Sequence, residues 1–545
     1  VAKKDQPFVG IDLGTTNSVV AYIDEADRPV TIPNSEGDIL TPSVVYFEPE
    51  GPAIVGKEAV KAGLLDPANV AEAVKRDMGR EFYRRPIRGK HLPPAAISGV
   101  ILNRLVKDAR ERLGNFDRAV VTVPAYFNEP RRKATMDAAR MAGLKEVELL
   151  NEPTAAALAF GYELGVFNEK GGLADVATKV PGRYSLLVYD LGGGTFDVTL
   201  MRIEDKHFRA LVCDGDVQLG GRDWDERVVR YAAECFQRET GVDLTADAEA
   251  TAALWVQAEE AKRALTQRTQ TVLRVSHAGK RVAIELTRED LLSLTADLLG
   301  RTRLTCELAV QEAHVKWDLI DAVLLVGGSS RMPMVSEMLQ EISGRPPNRS
   351  VSPDEAVAQG AALYAQMVWG EDAELKESVR RPSTAKITNV NAHSLGIVGF
   401  DPKIGDRRVS VLIPKNSPIP KSNTKTFRTR RAGQELIYIQ IVEGESSHPD
   451  RCTLIGECKL KGLPKDLPPE WPVHVTFAYR RDGRVFVEAQ VEGAEPFHVE
   501  IDRNRRVSRE DAEAWASELL SVEPGERPSK PPVKVVEKKL KPKSI

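Results

Sequence analysis

A strand that ends in Asp-Leu-Gly, turns through small residues and resumes as a second strand occurs twice in this chain, as GIDLGTTNSVVAYI around Asp12 and YDLGGGTFDVTLMRI around Asp190. Val9 to Leu13 and Leu186 to Leu191 are apolar runs of buried-strand length; Ser18 to Ile23 and Phe196 to Ile203 resume with β-branched and aromatic residues. Each unit is therefore expected to be a β-hairpin. Gly14 and the Gly192-Gly193-Gly194 run permit tight backbone conformations, so that successive N–H groups can converge on one anion. Thr15, Thr16, Asn17 and Thr195 add short side-chain donors. Asp12 and Asp190 stand at strand ends, and Asp197 follows Thr195 on the returning strand. Carboxylates beside a phosphate repel it unless a hard cation bridges them, which points to Mg²⁺ keeping much of its water shell. Two ordinary Gly-containing hairpins would use the same residues singly; duplication with an Asp in register favours a paired phosphate clamp.

Rival nucleotide motifs lack their context. GxxxxGK[ST] is absent and neither hairpin leads at once into a helix, which disfavours a P-loop or a dinucleotide fingerprint; HExxH and CxxC are absent too. At 545 residues and 42% hydrophobic composition the chain can bury several cores. A formal net charge of −3 gives no general reason to expect a nucleic-acid partner. Scattered Cys213, Cys235, Cys306, Cys452 and Cys458 fit neither a disulfide framework nor a zinc spacing, so a reducing cytoplasm is expected. The start VAKKDQPF has no apolar signal core and no later run reaches transmembrane length, so no membrane association is expected.

Residues 5–370 alternate strands with helices as an α/β unit would. Residues 371–389 are polar and read as a linker. Residues 390–503 give short alternating strands, expected to form an antiparallel β-domain with a hairpin at Asp482-Gly483. Residues 504–545 give one helix, opened by the capping-box-like Ser508 and Asp511, and a Pro- and Lys-rich tail expected to be disordered.

IDLGTTNS, VTVPAYFNEPRR, LLNEPTAAALAFG, YDLGGGTFDV, LGGRDWD, AEEAKRALT, LLVGGSSRMP and SPDEAVAQGAA follow one another as in the heat-shock protein 70 (DnaK-type) chaperone family. The chain resembles that family from about Phe8 to Ala365, and more loosely from His393 to about Leu520. The resemblance implies an actin-like two-lobe ATPase domain, then an antiparallel β-sandwich and a short helix. It implies Mg-ATP binding and hydrolysis coupled to binding of unfolded or extended peptide segments, with ATP/ADP and Mg²⁺ as cofactors and K⁺ as an optional further ion. J-domain and nucleotide-exchange proteins are the partners it suggests. Two other classes stay open: a nucleotide-gated regulatory module with one specific partner, and, against the motifs, a small-molecule kinase on the same fold.

The resemblance also assigns residues. Gly14, Thr15, Thr16 and Asn17 would hold phosphates from one lobe, and Gly192, Gly193, Gly194 and Thr195 from the other. Asp12, Glu152 and Asp197 would act on the metal largely through water. Lys75 in AVKRDMGR matches the catalytic lysine, able to orient the attacking water and offset γ-phosphoryl charge. Adenosine contacts would come from Glu259, Lys262, Arg263 and Thr266, read as one helical face, from the Gly327-Gly328 turn with Ser329, and from Arg331 with Asp354 nearby. Pro124 and Arg132 match a proline switch and its relay arginine. Phe400, Phe427 and Ile437 are candidates for a peptide groove; Ile397 and Ile439 fit a sandwich core at least as well.

Departures are informative. Between Arg80 and Pro94 the upper subdomain is trimmed, and 165–183 is an extra segment expected to be a surface loop. Glu148 stands where the family carries an arginine, and Asn389 where its linker carries an Asp. Both changes put docking of the linker and coupling to J-domain proteins in doubt. The lid is expected to be short, giving weak, fast-exchanging peptide binding.

Overall fold

The structure is a computed structural model that describes residues 6–48, 51–167, 182–370, 385–434, 436–461, 463, 467–480, 483–491, 497–499, 514, 515 and 519. The Asp482 turn position, the Ser508 and Asp511 cap, the tail and most of the 165–183 segment lie outside the described residues.

Two sheets repeat one plan. In the first, Val9–Asp12 pairs antiparallel with Asn17–Ile23 and parallel with Arg118–Val123, which continues to Glu146–Asn151. In the second, Arg183–Leu191 pairs antiparallel with Phe196–Glu204 and parallel with Ala322–Val326. Each duplicated motif is thus a hairpin whose first strand is central to its sheet, and buried apolar residues on that strand fix it there: Val9 and Ile11 in one, Leu186 to Tyr189 in the other. The helices Pro94–Leu113 and Glu129–Met141 complete the first core, and Gly221–Thr240, Ala248–Ala264 and Arg288–Glu312 the second. Helices Glu152–Glu163 and Ala356–Trp369 pack on each other in a third core, joining residues of both sheets. The trimmed stretch after Arg80 holds a single isolated bridge between Ile87 and Lys90 among the described residues, and Arg80 and Arg84 fold back onto the buried Asp77.

The C-terminal β-unit is two four-stranded antiparallel sheets face to face. One runs Asp406–Ile413, Leu395–Asp401, Leu436–Glu443, Thr453–Lys461; the other Lys421–Arg428, Pro472–Tyr479, Val485–Val491, Phe497–Val499. Alternate residues Val473, Val475, Phe477 and Tyr479 point inward, as period-two patterning requires, and meet Ile397, Ile439 and Ile441.

Part of the stretch read as linker is a strand. Lys386–Val390 adds in parallel to His207–Asp216 of the second sheet and pairs in turn, antiparallel, with Pro418–Ile419, and Asn389 accepts a 2.7 Å hydrogen bond from the Thr154 hydroxyl. Period-two alternation is weak in KITNV, and its pairing strand lies about 180 residues earlier, so local patterning gave no sign of this docking. Residues 371–384 lie outside the described residues.

The sandwich rests against the first lobe through a buried polar contact. Glu443 accepts a 3.0 Å hydrogen bond from the Glu129 amide at the start of its helix and another of 3.0 Å from the Tyr479 hydroxyl, with Arg132 and the Glu129 carboxyl facing it. Burial pushes the Glu443 carboxyl from its ordinary 4.5 up to about 7, against these hydrogen bonds and the Arg132 charge. Lys415 adds a 2.8 Å ion pair to Asp214 of the second sheet. Trp515 and Leu519 pack on Ala96 and Met141 of the first lobe.

A raised carboxyl favours the protonated, docked form, so the Glu443 contact is strongest below its ordinary pKa and weakens as pH climbs toward 7, by on the order of 3 kcal/mol. Hydrogen exchange at the Glu129 amide, corrected for intrinsic rate, is expected to speed up across that range in the parent chain and to stay level in Glu443→Gln. Identical profiles for the two proteins would remove the assignment.

Candidate functional site

The tips of the two hairpins meet. A Cβ on Gly194 would fall 2.3 Å from the Thr15 methyl, and one on Gly193 only 1.9 Å from the Thr16 hydroxyl, so the close approach is available to glycine alone. The second turn is anchored from behind, because the Gly221 and Arg222 amides at the start of their helix donate to the Gly192 and Gly193 carbonyls at 2.9 Å. Arg76 reaches across from the first lobe, donating to the Gly194 carbonyl at 2.9 Å and pairing with Asp223. Glu72 and Arg222 form a second ion pair between the lobes, with the guanidinium 4.4 Å over the Trp255 ring.

Between the tips lie Lys75 and a set of carboxylates. Lys75 Nζ sits 2.5 Å from Glu152 Oε1, both nearly out of solvent. Glu152 is delivered by the first turn of its helix, Lys75 by a short 3₁₀ turn after the left-handed Ala73. Asp12 accepts from the Thr122 hydroxyl at 3.0 Å, and Asp197 accepts from the Tyr126 amide at 3.1 Å. Burial, with Glu152 close by, pushes Asp12 up to about 7 despite Lys75 and Thr122. Burial likewise raises Asp197 to about 7, raises Glu152, and carries Asp190 well above the carboxylate range. Burial works against the Lys75 ammonium, but Glu152, Asp12 and Asp190 hold its pKa above the ordinary value. One ammonium therefore faces four carboxylates, and Asp197 Oδ2 is buried with no hydrogen-bond partner among the described residues. The set is under-compensated in charge and its all-oxygen donors suit a hard cation, although among the described residues no three acids are grouped closely enough to ligate an ion directly.

The adenosine candidates divide. Gly327, at φ 78°, makes the expected turn after Ala322–Val326, and the following 3₁₀ turn carries Gly328, Ser329 and Arg331. Arg331 is ion-paired with Asp354 at 2.5 Å. Glu259, Lys262 and Arg263 stand on one helix at same-face spacing, with Thr266 just past its end, but their side chains take different partners. Lys262 turns inward, 2.8 Å from the buried Asp225 and 3.0 Å from the Gly221 carbonyl, while Arg263 and Glu259 form an exposed 3.8 Å pair. Thr266 lies beyond the helix end at Ala264, its hydroxyl donating to the Arg263 carbonyl. Spacings of three and four spread residues over an arc, and the buried carboxylate decides which one turns in.

Pro124 and Arg132 lie together beside the site. Arg132 donates to the Phe127 and Ala125 carbonyls and to Asn151 Oδ1 at 2.8 Å, fixing the Pro124 turn whose Tyr126 amide holds Asp197. Tyr126 in turn meets His393: its carbonyl lies 3.1 Å from the ring Nε2 and the two rings are 4.4 Å apart. Of the groove candidates, Ile397 and Ile439 are core. Phe427 and Ile437 are half-buried against that core, whereas Phe400 is exposed beneath Arg430. Thr122, Tyr126 and Asp225 escaped the sequence reading. A lone threonine inside the apolar run AVVTV was the one local signal for Thr122, while Tyr126 contributes through its backbone, which side-chain motifs do not reveal.

The family model described as Hsp70 protein matches residues 8–88 and 83–533. The chain is 37% identical over 498 residues to the chaperone protein DnaK of Thermosipho melanesiensis, covering 90% of this chain and 79% of that one. It is equally similar to the DnaK of Thermosipho africanus, and 38% identical over 499 residues to that of Thermotoga neapolitana, with the same coverage. Among the described residues no helix is long and apolar enough to cross a membrane. The chain belongs to the Hsp70 family, and with it to the ATP-dependent chaperones that hydrolyse ATP.

Proposed function

We propose that this chain hydrolyses Mg-ATP between its two hairpins and uses the nucleotide state to control binding of extended polypeptide segments by its sandwich. The observation that carries the reading is the charge set itself: one buried ammonium and four carboxylates, three buried and Asp12 half-buried, beside two glycine turns in contact. We further propose the division into a nucleotide-binding unit at 5–370, a linker at 371–389, a substrate-binding unit at 390–503 and a helix with tail at 504–545. Cytoplasmic residence belongs to the same proposal, in keeping with free thiols at Cys213, Cys235, Cys306 and Cys452.

Gly14, Thr15, Thr16 and Asn17 would receive phosphate oxygens from one side and Gly192, Gly193, Gly194 and Thr195 from the other, their N–H and O–H groups converging on the anion. Asp12, Glu152 and Asp197 would hold Mg²⁺ through water. When bound, the ion supplies charge neutralisation across the transferred phosphoryl oxygens. Lys75, kept protonated by its carboxylates, would orient the attacking water and stabilise charge on the γ-phosphoryl group. Ser329, Arg331 and Asp354 border the Gly327-Gly328 turn, where the nucleoside would sit. Glu259 and Arg263 would reach it from the helix surface, while Lys262 would act indirectly by holding Asp225 and Gly221. K⁺ would be an optional further ion.

Coupling would run from Asp197 through the Tyr126 amide and the Pro124 turn, locked by Arg132, to His393 and the sandwich. Phe427, Ile437 and Phe400, all at strand ends on one end of the sandwich, would contact the peptide. J-domain proteins are proposed as weak partners, because Glu148 puts a carboxyl where a cation would meet their acidic signature. Repulsion of about 1 kcal/mol at a half-exposed site is enough to cut stimulation several-fold.

Single-turnover ATP hydrolysis in Thr195→Ala and in Lys75→Ala is expected to fall on the order of a hundredfold or more, the usual loss when one preorganised donor is removed. Parent-like rates in both variants would overturn the assignment. Stimulation by a standard J-domain is expected to be weak in the parent chain and to rise in the double variant Glu148→Arg with Asn389→Asp. Full stimulation of the parent would show that these two positions do not limit coupling.

A further inference from the structure

We propose that the sandwich selects extended segments whose apolar centre is flanked by Asp and Glu; this rests on the reading of the sandwich as a peptide-binding unit. Residues 390–503 carry 17 Lys and Arg against 15 Asp and Glu, but within 390–434 nine Lys and Arg face only two acids, Asp401 and Asp406. The surplus gathers around exposed apolar side chains. Phe400 and Tyr438 are each 44% exposed, and Leu436 and Ile404 stand out beside them. The Arg430 guanidinium lies 4.0 Å over the Phe400 ring, and Lys459 Nζ lies 5.9 Å from the Tyr438 ring.

Strand register explains the arrangement. Phe400 pairs with Arg407, and Tyr438 with Lys459. The strands run outer, inner, inner, outer, so the two aromatic residues on the inner strands are flanked on both sides by a cation. Lys425 reaches from the neighbouring edge strand to the Ser410 hydroxyl at 2.7 Å, and Arg431 follows Arg430 in the adjoining turn. The carboxylates present are engaged locally. Asp401 pairs with Arg408 at 3.6 Å, Asp450 with Arg407 at 3.8 Å, Asp406 accepts from the Arg407 amide, and Glu457 accepts from Gln440. Among the described residues Lys403, Arg430, Arg431 and Lys459 make no ion pair.

A cation held over an aromatic face keeps its outward N–H groups for an acceptor, and a guanidinium matches a carboxylate geometrically. Apolar side chains entering beside Phe427 and Ile437 would bring flanking carboxylates to these cations, while basic flanks would be repelled. Single-stranded nucleic acid is the other anion that a cationic, aromatic sheet can hold, but it needs open ring faces for stacking. Arg430 already covers that of Phe400.

The test uses the full chain with ADP and labelled peptides that share one Leu/Ile/Phe centre and differ only in flanks of Asp/Glu, Ser/Asn or Lys/Arg, with single-stranded RNA of similar length beside them. Fluorescence anisotropy is expected to rank acidic above neutral above basic flanks, with about a tenfold spread between extremes at low salt that narrows at high salt. Arg430→Glu with Lys459→Glu should invert the order, and Arg430→Gln, the milder change, should compress it. Equal binding of all three peptides, or preference for basic flanks, would overturn the charge selection and leave peptide binding standing. No binding by any peptide would remove both readings, and RNA outcompeting the acidic peptide would overturn this one.

Discussion

Lys75 places a single ammonium among Asp12, Glu152, Asp190 and Asp197, and the two lobes are arranged around that imbalance. Glu152, Asp190 and Asp197 are buried by their own sheet or helix and Asp12 is half-buried at its strand end, so the cluster is largely withdrawn from hydration. The ion pair with Glu152 compensates one charge; the rest are held down by raised pKa values and by Thr122 and the Tyr126 amide. Left as the chain alone supplies it, the cluster is under-compensated in charge, a state that the proposed Mg²⁺ would relieve. The glycine turns meet above it because every side chain larger than hydrogen would hold them apart.

The same geometry ties the cluster to distant parts of the molecule. Asp197 is held by a backbone amide of the Pro124 turn, and that turn is fixed by Arg132, whose guanidinium also faces Glu443 of the sandwich. The His393 ring packs at a tilt against that of Tyr126 just after the strand Lys386–Val390. A shift of Asp197 therefore disturbs contacts on both sides of one short turn. The lobes are bridged above by Arg76 with Asp223 and by Glu72 with Arg222, so closing the cleft and seating the sandwich draw on neighbouring segments, 72–76 and 124–132. Such shared elements are the physical requirement for coupling between sites.

How much of this was legible in the sequence depended on the range of the interaction. The hairpins, the Gly327 turn and the alternating sandwich strands are local patterns, and they stand in the structure much as the residues suggest. Helical spacing gives the face shared by Glu259, Lys262 and Arg263 but not the partner of each: Asp225, nearly forty residues earlier, takes Lys262 inward. The Lys386–Val390 strand was hidden because its hydrogen bonds go to His207–Asp216 and its side chains show no clear alternation. Phe400 and Ile437 both read as apolar strand residues; which faces solvent depends on the parity of each strand relative to the facing sheet.

Opposite electrostatic solutions serve the two ends of the molecule. In the cleft between the hairpins, an excess of carboxylates is largely buried, where a low dielectric makes each one expensive and would make a bound cation correspondingly strong. On the sandwich, excess positive charge is exposed and spread over aromatic faces, where each interaction is weak, screened by salt and additive along a flexible ligand. The first arrangement suits one ligand of fixed shape and charge; the second suits many segments that share only a pattern. Under the proposed function, a chain that releases its second ligand when the first changes would gain from this contrast. The strongly held site can then bias the weak one through a contact as small as that between Glu443 and the Glu129 amide, since little free energy is needed to tip the weaker equilibrium.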